Sequence, residues 1–294
     1  MSFVVVGLSH RTAPLSLLEQ CSVPADGRAK LLAAVAGSSH VSEAVAVTTC
    51  NRTELYVHAE TFHGAYGDLR DVLADLSGLA PERLTDHLVV QYDEDAVRHL
   101  FSVAAGLDSA VLGEHEILGQ VRTSWDLARE EGTAGALANL VFRHAVETGK
   151  RVRTETDISR GTASVSHAAV EMAADHLGAL AGRRVLVVGA GEMGEGMAVA
   201  LAGAGVGEIA VANRTVERAE ALASRVDGRC VPLAELADAL HDVDVLLTST
   251  GASSMLLEHA ELEPALRRRG GRPLLIVDIA VPRDVDPAVG RLPG

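Results

Sequence analysis

The chain has 294 residues, 48% of them hydrophobic, and 40 acidic against 26 Lys and Arg residues give it a net charge of −14. At about 100–200 residues per domain, that length predicts two domains. The acidic balance excludes a protein that grips nucleic acid through one broad basic face, but not one with a local basic patch.

Aromatic residues make up only 3% of the chain, so Ala, Val and Leu must build the core. No apolar run reaches the ~18 residues of a membrane span. Residues 1–7 lack a basic leader and read as a first strand, over 3–9. Helices follow at 14–20 and 28–36, then strands at 44–48 and 54–58. A helix over 64–76 stops at Gly78, and a strand follows at 87–92. Two strand–helix–strand units in succession predict a small ferredoxin-like α+β sheet with helices on one face. From Asp93 the periodicity is helical. Val97, Leu100, Phe101, Ala104 and Ala105 share one face, the run 106–109 breaks it, and helices over 117–130, 134–153 and 162–180 follow. Strands at 184–188, 208–212, 243–248 and 274–278, with a short one near Cys230, alternate with helices. That pattern predicts a Rossmann-type, doubly wound parallel sheet. The fold class is therefore α/β. Residues 1–155 form a catalytic and substrate domain and 156–294 a nucleotide domain, with the boundary near 154–162. Residues 284–294 read as an unstructured end. Arg143, Lys150, Arg151, Arg153 and Arg160 cluster and read as a solvated helix face.

Residues 189–194 (Gly189, Ala190, Gly191, Glu192, Met193, Gly194) follow a β-branched strand and open an apolar helix. In that context the glycines permit a tight turn, close approach of a pyrophosphate and close helix–strand packing. The next strand ends in Asn213, Arg214 and Thr215, about 20 residues after the last glycine, where an NAD site would carry an acidic residue. A guanidinium there suits a 2′-phosphate, so the expected cofactor is NADPH; a plain surface arginine is the alternative. Residues 248–251 and 279–282 occupy strand ends that line such a pocket.

Cys21, Cys50 and Cys230 make neither a disulfide framework nor a zinc pattern, which fits a reducing cytoplasm. Cys50 differs from the other two. It follows a strand end and is flanked by Thr49, Asn51 and Arg52. A nearby guanidinium would lower the thiol pKa, or Arg52 could bind a substrate carboxylate instead. His99 is a candidate acid/base group, with a satisfied core histidine as the alternative. Ser109, Glu114, His115, Glu116 and Gln120 form a polar stretch without metal-ligand spacing, so no metal is expected.

Gly7-Leu8-Ser9-His10-Arg11-Thr12-Ala13-Pro14, Thr49-Cys50-Asn51-Arg52-Thr53-Glu54, Ala105 to Ser109, Gly113 to Val121 and the Gly189–Gly194 loop occur in order along the chain. Together they resemble the glutamyl-tRNA reductases. The resemblance implies that Cys50 attacks the ester of glutamyl-tRNA, leaving an enzyme thioester that NADPH reduces to glutamate-1-semialdehyde at the start of tetrapyrrole synthesis. It implies substrate recognition by Thr49, Asn51, Arg52, Ser109, Gln120 and the Glu114–Glu116 stretch, a role in activity for His99, and no metal. It also implies transfer of product to an aminomutase and a hinge that lets the two domains meet. Family members continue into a helical dimerisation domain; this chain stops at Gly294, which suggests a truncated form in which homodimerisation is in doubt. Two other readings compete. A shikimate-dehydrogenase-like enzyme would use a Lys/Asp pair, and the chain's only lysines are Lys30 and Lys150. A non-catalytic NADPH- or tRNA-binding regulator would bury Cys50 beyond the reach of alkylating agents.

Overall fold

A run of valines opens the chain, and β-branched residues favour a pleated, buried strand. In the computed structural model, which describes residues 2–158, 164–252 and 254–294, they lie in β1 (Ser2–Ser9). The backbone divides into two compact units, Met1–Thr162 and Ala163–Gly294.

In the first unit β1 is followed by α1 (Leu15–Gln20), α2 (Arg28–Ala36), β2 (Val41–Thr48), β3 (Arg52–Ala59), α3 (Phe62–Ser77), α4 (Pro81–Thr85) and β4 (Val89–Tyr92). The sheet is antiparallel with order β2-β3-β1-β4. This is the split βαβ arrangement that the strand–helix–strand pattern predicts. Gly78 ends α3 in the left-handed conformation (φ 67°), which costs a glycine nothing.

The sheet departs from expectation in being covered on both faces. All of β1 but Ser2, and all of β3 but His58, is buried. One covered face would bury only alternate residues. The second cover comes from α5 (Asp93–Ala105), α6 (Glu116–Glu130) and α7 (Ala136–Glu155). Phe142 of α7 meets Tyr56 of β3 edge to face at 5.6 Å, and His99 of α5 reaches Glu54 of β3. Helical periodicity located these three helices but not the surface they would bury. Gly149 lets α7 approach α5 closely, since a Cβ there would lie 2.6 Å from the Ala104 carbonyl.

The second unit begins with α8 (Val165–Leu177), whose N-cap Ser164 accepts a hydrogen bond from the His167 amide. Residues 162 and 163 of the predicted helix lie outside the described residues. Then come β5 (Arg184–Val188), α9 (Glu192–Gly203), β6 (Glu208–Ala212), α10 (Val216–Arg225), β7 (Arg229–Cys230), α11 (Leu236–Ala239), β8 (Val245–Thr248), α12 (His259–Arg268) and β9 (Leu275–Asp278). All five strands are parallel, in the order β7-β6-β5-β8-β9. Val185, Val187, Val245 and Leu247 join one hydrophobic cluster, while Leu186, Val188 and Leu246 join another. Adjacent residues enter opposite clusters, so both faces are covered, as a parallel sheet requires.

Residues 284–294, expected to be unstructured, are tied in. Val285 bridges to Leu257, Pro287–Arg291 forms a 3₁₀ turn, and Val285 and Val289 are buried in the second cluster. The segment carries few apolar residues, so periodicity gives no sign of this. Its order comes from two valines four residues apart that fill space beside Leu257 and Leu262.

Candidate active site

Cys50 stands at the tip of the β2–β3 hairpin. The Thr49 amide donates to the Arg52 carbonyl (2.9 Å) and closes the turn. The Asn51 amide donates to Thr49 Oγ1 at 3.1 Å. The His10 amide donates to the Asn51 carbonyl at 2.9 Å and fastens the tip to the end of β1. Thr49 and Asn51 therefore have structural duties in the turn that presents the half-buried Cys50.

Arg52, Glu54 and Tyr56 alternate along β3 and share the face that α5 and α7 cover. Arg52 is only 1% exposed. Its Nη1 donates to Glu54 Oε1 (2.9 Å), and its Nη2 donates to the Asp108 carbonyl (2.6 Å) and to Asp108 Oδ2 (3.0 Å). Glu54 is fully buried and also accepts from Tyr56 Oη (2.7 Å) and lies 2.9 Å from His99 Nε2. Arg11 pairs with Asp108 from outside at 2.7 Å. Burial pushes the Glu54 carboxyl up, but the Arg52 charge and the His99 and Tyr56 hydrogen bonds outweigh it and hold the carboxyl below its ordinary range. Gly7 makes room for this side chain: a Cβ there would lie 2.5 Å from Glu54 Cα.

The thiol overturns the expectation of a lowered pKa. Burial first, then the Glu114 and Glu116 carboxylates, push Cys50 up to about 11. Arg52 acts in the opposite direction but is outweighed, and its guanidinium is engaged by Glu54 and Asp108. Adjacency in sequence placed Arg52 beside Cys50; strand alternation sends its side chain into the sheet face instead.

Glu114 is buried, and burial raises its pKa. The nearby Ser109 hydroxyl opposes that rise, and the Glu116 charge adds to it. The loop carrying these residues is held by Arg153. Its Nη1 donates to the Ala104 and Gly149 carbonyls and its Nη2 to the Glu114 carbonyl at 2.8 Å. Arg153 is thus an internal brace and not part of a solvated face; Arg151 does pair outward with Glu155, and Arg160 lies outside the described residues. Glu116 Oε2 and Ser109 Oγ are both buried without a well-formed hydrogen bond. Gln120 follows Glu116 by one turn of α6 and is half-buried, whereas His115 faces solvent. Glu54, Tyr56, Asp108 and Arg153 are missing from the sequence-derived site. The signal for the first two was the two-residue spacing from Arg52 along a strand; nothing in the sequence pointed to the others.

In the second unit the glycine loop leaves β5 at the point where strand order reverses, between β6 and β8. Gly189 has φ +112°, and a Cβ on it would meet Ser249 Oγ at 2.8 Å. A Cβ on Gly194 would lie 1.8 Å from the Gly189 carbonyl, so only glycine lets α9 pack this close. Gly191, at the N-cap of α9, has nothing within 4 Å of a would-be Cβ and leaves the backbone open. The Ala190 amide donates to Asn213 Oδ1 (3.1 Å), and Asn213 Nδ2 donates to the Thr215 carbonyl (3.0 Å). Asn213 thus shapes the loop and occupies one of its amides. Glu192, Arg214 and Thr215 are exposed, and Met193 gives its carbonyl to Ser166 Oγ. The open cradle at Gly191, at the N-terminus of α9, fits the pyrophosphate of a nicotinamide dinucleotide.

Fold and site together define a two-unit α/β protein that joins a cysteine-bearing sheet domain to a dehydrogenase-type nucleotide fold. Among the described residues no helix is long and apolar enough to cross a membrane. Residues 6–156 match the family model described as glutamyl-tRNAGlu reductase, N-terminal domain, and residues 171–294 match that of shikimate / quinate 5-dehydrogenase. The glutamyl-tRNA reductase of Frankia alni is 42% identical, across 100% of this chain and 70% of its own length. That of Syntrophotalea carbinolica is 43% identical, across 99% of this chain and 66% of its own length. The solved structure of glutamyl-tRNA reductase from Methanopyrus kandleri aligns over 99% of this chain and 69% of that one, with 40% identity and a TM-score of 0.51. The chain belongs to the glutamyl-tRNA reductase family, and it spans about two thirds of the length of these relatives.

Proposed function

We propose that this chain carries out the NADPH-dependent reduction of glutamyl-tRNA to glutamate-1-semialdehyde through a thioester on Cys50. The observation that carries the reading is the placement of one half-buried thiol at a braced hairpin tip, within the electrostatic influence of Glu114 and Glu116. Two carboxylates beside a thiol suit an aminoacyl ester. The α-ammonium of the glutamyl group is the natural partner for Glu114 and Glu116, and seating it there offsets their share of the rise in the thiol pKa, of which burial is the larger part. Binding of the correct substrate thereby makes the thiol easier to ionise. The Arg52–Glu54–His99 network holds the tip rigid from inside the sheet face, so that Thr49, Ser109 and Gln120 act by position around the ester.

Covalent capture splits one difficult reduction into two easier steps. Gly189–Gly194 would hold the pyrophosphate and Arg214 the 2′-phosphate, and bound NADPH supplies the hydride. Glutamyl-tRNA is the proposed partner, and the next pathway enzyme, an aminomutase, the proposed recipient of the product. The shikimate-type alternative shares the second unit's fold, but the first unit matches the glutamyl-tRNA reductase N-terminal domain and carries the chain's only lysines, Lys30 and Lys150, for a Lys/Asp pair.

The test is intact-mass spectrometry after incubation with glutamyl-tRNA and no NADPH. A glutamyl adduct should appear on Cys50 and be absent from Cys50→Ser, while NADPH binds both proteins equally. An unmodified wild-type chain would leave the regulator reading in its place.

A further inference from the structure

Ser109 and Glu114 ride on one short loop, residues 106–114, that leaves the end of α5 and returns toward α6. Near its start the loop is bolted to β3. Arg52 Nη2 donates to the Asp108 carbonyl (2.6 Å) and to Asp108 Oδ2 (3.0 Å). At its neck the Gly113 amide donates to the Gly106 carbonyl at 2.9 Å, so the two ends of the loop meet. The neck is tight: a Cβ on Gly106 would lie 3.0 Å from Gly113 Cα and 3.3 Å from Arg153 Nη2.

Arg153 spans that neck from α7. Its Nη1 donates to the Ala104 carbonyl, on the α5 side, and to the Gly149 carbonyl, each at 2.9 Å. Its Nη2 donates to the Glu114 carbonyl, on the α6 side, at 2.8 Å. A planar fork joins both ends of the loop at once, which a single ammonium does not. The acceptor it takes is informative. Burial holds the guanidinium below its ordinary pKa, and the Glu114 charge opposes that. Yet the contact is to the main-chain oxygen of Glu114. A brace that served stability alone would gain more from the carboxylate, since bonds between two charged groups are the stronger ones. Holding the main chain leaves the carboxylate for a ligand. The Arg153 charge in turn opposes the rise that burial imposes on the Glu114 pKa.

We propose that Arg153 is a positioning residue for capture of the glutamyl group, acting through Glu114. This rests on the thioester reading above and on the α-ammonium contact given there to Glu114. By fixing the main chain at residue 114 against α5 and α7, Arg153 sets where the carboxylate meets the α-ammonium. That in turn sets how the ester carbonyl is presented to Cys50 Sγ. Asp108 fixes the other limb of the same loop through Arg52. A guanidinium on α7 that touches no reacting atom thus contributes to substrate placement, and a misplacement of about 1 Å costs about 10²-fold in rate.

The test is single-turnover formation of the Cys50 adduct without NADPH, measured against glutamyl-tRNA concentration in wild type, Arg153→Met and Arg153→Lys, each with and without Glu114→Gln. Acylation efficiency in Arg153→Met should fall about 10²-fold, chiefly by raising the glutamyl-tRNA concentration needed for half-maximal rate. Iodoacetamide needs no loop to seat it, so it should label Cys50 as fast as in wild type or faster. Arg153→Lys keeps the charge but not the fork; it should acylate faster than Arg153→Met and more slowly than wild type, and it carries the test if Arg153→Met does not fold. In the Glu114→Gln background either Arg153 substitution should add little, because residues that act as one unit are not additive. Wild-type efficiency in every folded Arg153 variant overturns the assignment. So do losses that multiply in the double variants, and so does an equal loss of iodoacetamide labelling that tracks a lowered melting temperature, which would make Arg153 a brace for the fold alone. If wild type itself forms no adduct, the thioester reading fails first, and this one with it.

Discussion

Glu54→Gln removes one negative charge from the most buried polar cluster in the first unit and leaves its shape nearly intact. In the wild type that carboxylate receives Arg52 Nη1, Tyr56 Oη and His99 Nε2 within 2.9 Å, with no solvent exposure. Breaking a buried pair by removing one partner costs ~3–5 kcal/mol, because the other charge is left uncompensated. Arg52 keeps Asp108, so the lower end, about 3 kcal/mol, applies. For a unit of this size about 1 kcal/mol moves Tm by ~2–4 °C, which predicts a drop of about 6–12 °C at pH 7. The pH dependence carries a sign. The folded-state pKa of Glu54 lies below its unfolded value, so its contribution is full above the unfolded pKa and is lost as pH falls through the folded one. The gap between wild type and variant should therefore close on acidification below about pH 4. Thermal melts followed by circular dichroism from pH 7 to pH 3 measure both quantities. A variant that melts with the wild type at pH 7, or a gap that widens in acid, would refute the idea that this carboxylate is charged and anchors the hairpin.

Three further outcomes are expected. Glu114→Gln removes the largest charge acting on the thiol, so iodoacetamide should label Cys50 faster in the variant at every pH from 7 to 9; peptide mass spectrometry reads this, and equal or slower labelling would contradict it. In the wild type the labelling rate should rise about tenfold per pH unit without levelling near 8.5, the range of an ordinary thiol. Arg214→Ala deletes an exposed guanidinium beyond β6, and a hydrogen bond to a charged group is worth ~1.5–3 kcal/mol. NADPH affinity by fluorescence titration should fall about 10–150-fold with NADH affinity unchanged; equal losses for both would remove the 2′-phosphate from the argument.

The sequence alone determined the elements of both units. Valine runs, a 3.6-residue apolar repeat and Gly78 are local signals, and the chain obeyed them at β1, α5 and α3. The glycine loop was equally legible, because Gly194 answers a local steric demand from the Gly189 carbonyl five residues earlier. Only the tertiary structure decided what surrounds the thiol. Arg52 lies two residues from Cys50, yet its partners are Glu54 on its own strand and Asp108, 56 residues on. Glu114, the main charge acting on Cys50, is 64 residues away in sequence. Arg153 reads as a solvated helix charge until α7 packs against α5 and turns it inward onto the Ala104 and Glu114 carbonyls. Secondary structure follows from neighbours along the chain, whereas a pKa follows from burial and from charges that only folding brings within reach.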